Sequence, residues 1–341
     1  MGDHLILGIE SSCDETAAAV LRGRSILSSV IASQIEVHRE YGGVVPELAS
    51  RHHLEKIDRV IDLALGRAAV GLDDIDAVAV TRGPGLVGSL LVGLQAAKAI
   101  AYVRRVPLLA VNHLEGHLRS VWLEHGEIPM PALSLLASGG HTSLYLSPSE
   151  DAIVLVARTR DDAAGEAFDK VAKLLGLGYP GGPLVDRLAP TGNPEAVRLS
   201  PPRMSDGSLD FSFSGFKTAV LRHAQAHALA RDYPAGHPDQ ATRDLIASFQ
   251  TAVVDFMLDR LMTVARRERV RSLCLSGGVA CNSLLRARVR AEAEAAGLSS
   301  FAVSPSLAVD NAAMIAFVGA RRLRRGEVAD LTENAEPGLE L

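Results

Sequence analysis

The sequence contains few aromatic residues and few cysteines. Phenylalanine, tryptophan and tyrosine together make up 4% of the 341 residues, which predicts a core built mainly from aliphatic side chains. The three cysteines, Cys13, Cys274 and Cys281, show no CxxC spacing. An odd number without that spacing excludes a disulfide framework and a zinc ribbon. A reducing compartment is the simplest interpretation, so we expect a cytoplasmic protein.

The chain also lacks an excess of positive charge and a membrane-spanning apolar run. Its formal net charge is −5, which argues against a stand-alone nucleic-acid binder, although arginine clusters at 102–105, 265–271, 286–290 and 321–325 remain available as local basic patches. The most apolar segment, 85–103, contains a glutamine and a lysine and is typical of a buried helix. The apolar run at the N-terminus is too short for a signal peptide. We therefore expect no membrane partner.

The phosphate-binding Walker motif is missing, while glycine-rich turns are frequent. The Walker pattern GxxxxGK[ST] is absent, which excludes a P-loop enzyme. Glycine-rich turns follow predicted strands at "RGPGLVG" (82–88), "ASGGHTS" (137–143), "YPGGP" (179–183) and "LSGGVACN" (275–282). One such turn is weak evidence, because tight turns need glycine. Several together indicate a phosphate or adenylate cleft, and Asn282 at the start of a helix either caps that helix or binds the ligand.

The order of predicted elements indicates an internal duplication. Strand, glycine turn, helix and strand occur at about 75–111 and again at about 271–304, and each half opens with strand, polar turn and strand. Two similar α/β lobes facing each other across a cleft are typical of the actin, hexokinase and Hsp70 (ASKHA) class. We therefore predict an N-terminal lobe at 1–130, onto which part of the C-terminal helix packs back. A C-terminal lobe at 131–325 includes inserted loops at 190–240, and a tail follows at 326–341.

The stretch "VNHLEGHLRS" predicts a helix that carries His113 and His117 on one face. That spacing suits a chelating pair and equally suits two solvated histidines on an ordinary surface helix. Glu115 lies between them, so the motif is not the HExxH of zinc proteases. The duplication places Asp310 at the corresponding position of the opposite lobe. Pseudo-symmetry would then bring a two-histidine, one-carboxylate site together across the cleft, unless Asp310 only caps the last helix.

Several other acidic residues are candidates for ligand contacts. Asp169 is spaced to form a surface ion pair with Lys173, but its position between glycine turns also suits binding of ribose hydroxyls. Asp186, just after "YPGGP", is a similar candidate. Asp14 and Glu15 lie in the first polar turn, where a carboxylate organises a metal, activates a nucleophile or only caps the turn.

Many blocks of the sequence resemble one known family. These are "GIESSCDET", "YGGVVPELASR", "GPGLVG", "HLEGH", "SGGHT", "DDAAGEAFDKVAKLLGLGYPGGP", "FSFSGFKTA", "SGGVACN" and "VDNAAMIAF". In this order and spacing, from about residue 5 to 320, they are similar to the tRNA N6-adenosine threonylcarbamoyltransferases, the TsaD/Kae-type family once described as O-sialoglycoprotein endopeptidases. The resemblance implies an actin-like fold. It also implies transfer of threonylcarbamoyl from threonylcarbamoyl-AMP to N6 of the adenosine 3′ of the anticodon, in tRNAs that read codons starting with A, with release of AMP.

The resemblance also implies roles for individual residues. His113, His117 and Asp310 would bind one divalent metal ion per subunit, with iron(II) favoured and zinc as the alternative. The adenylate would contact Leu136, Ala137, Ser138, Gly139, Gly140, Asp169, Gly182, Asp186 and Asn282. No general base is evident, and Glu15 is the residue we assign to that role.

The implied partners are macromolecular as well as chemical. Besides tRNA and threonylcarbamoyl-AMP, the family resemblance points to a TsaB-like paralogue, a TsaE-like ATPase and a separate synthase that makes the adenylate. Three other readings remain at this point. A sugar or acyl kinase of the same fold would not need the histidine pair, and a metallopeptidase would need a glutamate placed differently from Glu115. An adenylate-binding scaffold without chemistry would share every motif.

Overall fold

A computed structural model describes residues 4–202, 204, 206–229, 233 and 238–341. These residues form two compact units, Met1–Gly126 together with Val309–Leu341, and Glu127–Ala308. Each unit contains one five-stranded sheet with helices packed around it. The prediction of an α/β fold with a duplicated core is confirmed.

The first unit begins with three antiparallel strands and continues with two parallel ones. Its elements in chain order are β1 Leu5–Glu10, β2 Glu15–Arg22, β3 Ser25–Ser33, α1 Ile35–Arg39, α2 Pro46–Ala68, β4 Ala77–Gly83, α3 Val87–Arg104, β5 Leu108–Asn112 and α4 His113–His125. The sheet order is β3-β2-β1-β4-β5. β1 pairs antiparallel with β2 and parallel with β4, and β4 pairs parallel with β5. β1 is buried along its whole length, which fits its continuous apolar sequence.

The second unit repeats this topology. Its elements are β6 Ala132–Ala137, β7 Thr142–Ser147, β8 Val154–Arg158, α5 Ala164–Leu174, α6 Gly181–Leu188, α7 Ser214–Ala226, α8 Gln240–Glu268, β9 Ser272–Ser276, α9 Ser283–Ala295, β10 Ser299–Ala302 and α10 Pro305–Ala308. The sheet order is β10-β9-β6-β7-β8. Read from β8, it has the same order and the same strand directions as the first sheet. The duplication predicted from the sequence is therefore present in the strand topology.

The two cores differ in composition. The core of the first unit consists of aliphatic residues such as Leu7, Ile9 and Val80, as the low aromatic content predicted. The core of the second unit also contains a cluster of phenylalanines, at positions 168, 211, 213, 216, 249 and 256, whose rings contact one another at centroid distances such as 5.8 Å. The core of this unit is still mainly aliphatic, as predicted, but the low aromatic content did not predict that the rings collect in one cluster.

The last helix, α11 Ala312–Arg324, belongs to the first unit. It packs against β1 and β4 through small residues. A Cβ at Gly8 would lie 2.3 Å from the backbone oxygen of Ala312, and one at Gly319 would lie 2.4 Å from Cβ of Ala79. The sequence-based division ended the C-terminal lobe at 325, which placed Asp310 in it, and expected part of the C-terminal helix to pack back onto the N-terminal lobe. The structure assigns the whole of 309–341 to the first unit, where these small side chains let the helix backbone pack closely on the sheet.

The C-terminal tail lies along the same sheet. Ala329 forms an antiparallel bridge with Leu108, and Arg82 pairs with the carboxylates of Glu333 and Glu336. The side-chain amide of Asn112 donates to the backbone oxygens of residues 339 and 340 at 3.4 and 3.3 Å. The tail therefore covers the ends of β4 and β5.

The segment 190–240, predicted as inserted loops around a hairpin or a helix, contains helix α7. Residues 203, 205, 230–232 and 234–237 of this segment lie outside the described part of the chain. Among the described helices, none has both the length and the apolar content that crossing a membrane requires.

Candidate functional site

Polar side chains of the first unit collect at one edge of its sheet. The parallel strands β1, β4 and β5 all end there, and the antiparallel strand β2 begins there. Parallel topology therefore brings the end of β1 at Glu10, the polar turn that follows it and the start of α4 to the same edge. This is the edge at which α/β sheets generally bind ligands.

The sequence "NHLEGH" folds into the start of α4 because Asn112 caps it. The Asn112 side-chain oxygen accepts hydrogen bonds from the backbone N–H groups of Leu114 and Glu115, at 2.8 and 3.3 Å. His113 and His117 are 5% and 0% exposed. The alternative of two solvated histidines on a surface helix is therefore wrong.

The two imidazoles converge on Asp310. Nε2 of His117 lies 3.0 Å from Oδ1 of Asp310, and Nε2 of His113 lies 3.6 Å from the same oxygen. The alternative role of Asp310 as a helix cap is filled by its neighbour Asn311, whose side chain accepts from the N–H of Met314. The three predicted ligands are thus brought together, but within one unit, and the reasoning from pseudo-symmetry between lobes that led to Asp310 does not describe how they meet.

The donor set fits a divalent transition metal. One ligand atom from each of the three residues lies within 4.8 Å of the others. Ligands that bond one ion at about 2.1 Å lie roughly 3.0–3.4 Å apart in octahedral or tetrahedral arrangements, close to the two distances measured to Asp310. Nδ1 of His117 is buried and has no hydrogen-bond partner among the described residues. Two imidazoles and one carboxylate suit iron(II) or zinc and leave coordination positions open for substrate.

Glu10, which was not predicted from the sequence, forms a hydrogen bond to the ring nitrogen of His113 that faces away from Asp310. Glu10, the last residue of β1, is 0% exposed, and its Oε2 lies 2.9 Å from Nδ1 of His113. Burial alone would lower the pKa of His113, but the carboxylates of Glu10 and Asp310 raise it to about 9. Burial would conversely raise the pKa of Glu10, and the neighbouring imidazole keeps it below its usual value. The sequence does contain a signal for this residue, because Glu10 is an acidic residue at the end of an otherwise apolar strand.

Glu115 faces away from this cluster of ligands. Its Oε2 lies 2.9 Å from the guanidinium of Arg322 on α11, and Arg322 also donates to the backbone oxygen of Ala110. Glu115 therefore connects α4 to α11 and does not supply a catalytic base, which removes the metallopeptidase reading.

Replacing Glu115 with glutamine tests this assignment. Loss of the carboxylate leaves Arg322 half-buried without its ion pair, so we expect the free energy of unfolding to fall by about 1–3 kcal/mol. Metal stoichiometry and affinity should stay unchanged, because the side chain does not face the ligands. Chemical denaturation and metal titration measure the two quantities. Loss of metal binding by the folded variant would contradict the assignment.

The predicted candidates in the first polar turn lie near the metal ligands. Burial, together with the carboxylates of Asp14 and Asp310, raises the pKa of Glu15 well above its usual range. Ser33 Oγ donates to Glu15 Oε1 at 3.1 Å. A raised pKa makes the ionised carboxylate a stronger base than an ordinary glutamate, which is the property a general base needs.

The turn is braced by a buried histidine on α2. His53 is 0% exposed; its Nε2 donates to the backbone oxygen of Cys13 at 2.9 Å, and its Nδ1 accepts from Thr16 Oγ1 at 2.8 Å. Burial lowers the pKa of His53 below its usual 6.5. The imidazole is therefore neutral in the folded protein, and these two hydrogen bonds depend on that state.

This buried imidazole makes stability depend on pH. The unfolded chain protonates His53 near pH 6.5, whereas the folded chain resists protonation. At His53 the unfolded state thus binds more protons than the folded state below pH 6.5, and the contribution of His53 to stability falls as the pH drops from 7 towards 5. Urea unfolding at pH 7, 6 and 5 measures this effect. We expect the free energy of unfolding to fall less between pH 7 and pH 5 in the variant His53→Gln than in the wild type. An identical pH dependence in the two proteins would show that His53 does not contribute.

In the second unit the glycine turns meet at the corresponding edge of the sheet. A Ser-Gly-Gly sequence directly follows β6 at 138–140 and begins at the last residue of the parallel strand β9, at 276–278. A Cβ at Gly277 would lie 2.4 Å from the backbone oxygen of Ala137, and one at Gly165 would lie 2.6 Å from that of Ser138. By contrast, Cβ atoms added at Gly139 or Gly278 would meet nothing within 4 Å. Glycine thus allows the turns to pack closely on one side and leaves backbone open on the other.

The polar side chains that were predicted to contact the adenylate form hydrogen bonds within the protein. Asp169 accepts from the N–H of Gly181 at 2.6 Å, so it connects α5 to α6. Asp186 accepts from the N–H and hydroxyl of Ser283, the latter at 2.8 Å. Asn282 caps α9 through Leu285. Leu136 and Ala137 are fully buried, and Gly182 has open space where a Cβ would be. The structure therefore brings Asp186 and Asn282 together at the start of α9, with Ser283 as a neighbour that the sequence analysis missed.

Two similar α/β units, with two buried histidines and a half-buried aspartate converging in the first, define an ASKHA-type fold with a candidate metal centre. Solved structures agree on the fold. The T. kodakarensis HypF structure has a TM-score of 0.63 at 16% identity, covering 95% of this chain and 48% of that one. The Acidaminococcus fermentans (R)-2-hydroxyglutaryl-CoA dehydratase component A has a TM-score of 0.55 at 14% identity, covering 94% and 99%.

The sequence comparisons identify the family. The model of TsaD, tRNA N6-adenosine threonylcarbamoyltransferase, matches residues 25–317. A protein of that name from Geobacter metallireducens is 53% identical over 323 residues, covering 94% of this chain and 93% of the relative. Another from Symbiobacterium thermophilum is 52% identical over 342 residues, covering 100% and 98%. The chain belongs to the TsaD family of tRNA N6-adenosine threonylcarbamoyltransferases, and the predicted family and transferase class are confirmed.

Proposed function

We propose that this chain transfers a threonylcarbamoyl group from threonylcarbamoyl-AMP to N6 of the adenosine 3′ of the anticodon, in tRNAs reading codons that start with A, with release of AMP. Family membership supports the tRNA threonylcarbamoyltransferase activity. The observation that carries the site assignment is the convergence of His113, His117 and Asp310 in the first unit.

We assign these three residues as ligands of one divalent ion per subunit, with iron(II) favoured over zinc on the mixed nitrogen and oxygen donor set. When bound, the ion supplies a Lewis acid that holds and polarises the threonylcarbamoyl group. The protein contributes a buried, preorganised donor set, since both histidines are almost fully buried. Burial keeps the two imidazoles in place, while the half-buried Asp310 leaves one side of the site accessible to a substrate.

The second unit is proposed to bind the adenylate. The open backbone of Gly139, Gly140 and Gly182, where an added Cβ would meet nothing within 4 Å, suits close approach of a phosphate or ribose. Leu136, Ala137 and Ser138 hold the first of these turns at the end of β6. Asp169, whose Oδ1 accepts from the N–H of Gly181, is proposed to accept hydrogen bonds from the ribose hydroxyls. Asp186 and Asn282 are proposed to act at the start of α9.

Glu15 is proposed to accept the proton that N6 of adenosine loses during attack on the carbamoyl carbon. The exocyclic amine is a poor nucleophile, so it needs both orientation and a base. The raised pKa of Glu15 supports this role. We expect the variant Glu15→Gln to lower turnover about 100-fold or more while donor binding is retained. Single-turnover kinetics and binding of the donor measure the two effects, and unchanged turnover would remove Glu15 from the mechanism.

The chain is proposed to act with partners. A tRNA is a polyanion, and the net charge of this chain is −5, so binding by this chain alone should be weak and strongly salt-dependent. Exposed arginines at 266, 267, 269 and 271 offer a local basic surface. We propose a TsaB-like paralogue, a TsaE-like ATPase and a separate threonylcarbamoyl-AMP synthase as partners, and the cytoplasm as the compartment.

A reconstituted reaction tests this function. It contains the chain, these partners, unmodified tRNA, threonine, bicarbonate and ATP, and the nucleosides are analysed by mass spectrometry. We expect threonylcarbamoyladenosine with the wild type, none with His113→Ala, and less when a partner is omitted. Absence of product from wild type with demonstrably active partners would favour the kinase or scaffold reading.

A further inference from the structure

We infer that Glu10 is a positioning residue that fixes the orientation and tautomer of His113, so that its Nε2 is available to the metal. The inference rests on the proposed role of His113, His117 and Asp310 as ligands. It assigns a function to a residue that belongs neither to the proposed metal ligands nor to the proposed adenylate-binding residues.

The first argument is how firmly the carboxylate of Glu10 is held. Oε1 accepts from the backbone N–H of Ser12 at 2.5 Å, and Oε2 accepts from Thr81 Oγ1 at 2.6 Å. Both donors are buried and come from different parts of the chain, the turn after β1 and the strand β4. Glu10 is therefore fixed independently of His113 and can serve as a reference point for it.

The second argument concerns the proton on the imidazole. Oε2 of Glu10 lies 2.9 Å from Nδ1 of His113, and an ionised carboxylate only accepts hydrogen bonds. Nδ1 must therefore carry the proton, and the only ring nitrogen left to bind a metal is Nε2. That atom is the one 3.6 Å from Asp310. A carboxylate behind a histidine ligand, fixing its tautomer and ring orientation, is a common arrangement in metal sites.

The third argument is the contrast between the two histidines. Nδ1 of His113 has Glu10 and, at 3.2 Å, Ser12 Oγ as neighbours. Nδ1 of His117 has no hydrogen-bond partner within the described residues. A carboxylate thus orients His113, whereas only packing orients His117. Removing the carboxylate of Glu10 should therefore weaken metal binding by changing the orientation of His113.

Metal affinity of the folded protein is the quantity that tests this inference. Metal-free wild type, Glu10→Gln and Glu115→Gln are titrated with Zn²⁺ against a chelator of known affinity, and urea unfolding of each is measured separately. Glu115→Gln is the matched control, since it makes the same change in a second buried glutamate of this unit that faces Arg322. We expect Glu10→Gln to raise the Kd for Zn²⁺ about 10–100-fold and Glu115→Gln to leave it unchanged.

The other outcomes separate this inference from the proposed function. Tight binding by wild type with an unchanged Kd in Glu10→Gln would overturn the inference and leave the ligand assignment intact. An equal loss of Zn²⁺ affinity in Glu10→Gln and Glu115→Gln would also overturn it, because removing any buried carboxylate of this unit would then have the same effect. Failure of wild type to bind Zn²⁺ or Fe²⁺ would overturn the ligand assignment itself. If Glu10→Gln does not fold, Glu10→Asp keeps the charge but withdraws the carboxylate by one methylene; a folded Glu10→Asp with wild-type affinity overturns the inference.

Discussion

Replacing His117 with alanine is expected to abolish metal binding and to lower threonylcarbamoyladenosine formation by more than about 100-fold, since loss of even an outer-shell partner commonly costs 10–100-fold. His117 is 0% exposed, and its Nε2 lies 3.0 Å from Asp310. The other imidazole on α4, His113, lies farther from the same oxygen, at 3.6 Å, and alone with Asp310 leaves only two of the three ligands. Metal content by mass spectrometry and product yield in the reconstituted reaction measure the two effects.

The matched control is His125→Ala, which removes an exposed imidazole from the other end of the same helix. This variant should keep wild-type metal content and activity. The account would be contradicted if His117→Ala retained full activity at wild-type metal content. A parallel loss in His125→Ala would show that the helix, and not the ligand, is responsible.

Replacing Gly8 with alanine is expected to weaken metal binding and activity, although Gly8 is not a proposed ligand. The added Cβ would lie 2.3 Å from the backbone oxygen of Ala312 and 2.9 Å from Cβ of Ala316. Backbone cannot yield as a flexible side chain does, so the start of α11 must move away from β1. Asp310 precedes that start by two residues, so the carboxylate should move away from the histidine pair. We expect the free energy of unfolding to fall by about 1–3 kcal/mol and turnover to fall on the order of 100-fold.

Gly66→Ala provides the control for this prediction. An added Cβ there meets nothing within 4 Å, in the interior of helix α2. The same substitution should therefore be neutral or stabilise the protein by up to about 1 kcal/mol. Denaturant unfolding, metal titration and product yield compare the two variants. Wild-type metal affinity in Gly8→Ala would show that α11 does not set the position of Asp310.

The repeated topology could be predicted from local patterns. Apolar strands ending in glycine or polar turns identified the two halves, and both sheets have the same strand order. Packing of part of the C-terminal helix onto the first lobe was predicted. That the whole of α11 and the preceding Asp310 belong to the first unit was not predicted, because this depends on close packing between Gly8, Gly319 and their neighbours on separate elements. Sequence spacing does not reveal such packing. The phenylalanine cluster of the second unit was missed because composition reports how many aromatic residues exist and not where they collect.

The candidate site was predictable to different degrees. Spacing alone identified His113 and His117, because one helical turn separates them. Asp310 was reached by an argument from pseudo-symmetry, yet the structure places it with the histidines inside one unit. Glu10 was not identified, because its role depends on a parallel strand pair that brings β1 and β4 to the start of α4. The adenylate residues remain predictions from resemblance, since their described contacts are with the protein itself.

The central claim, that this chain itself carries out the transfer, is tested most directly by a single-turnover reaction with purified threonylcarbamoyl-AMP. Donor synthesis is then bypassed, and the chain, with its TsaB-like and TsaE-like partners, is mixed with unmodified tRNA. The account predicts threonylcarbamoyladenosine and AMP in equal amounts with wild type, and neither above background with His117→Ala. Equal product from wild type and His117→Ala, or from the partners without this chain, would contradict it.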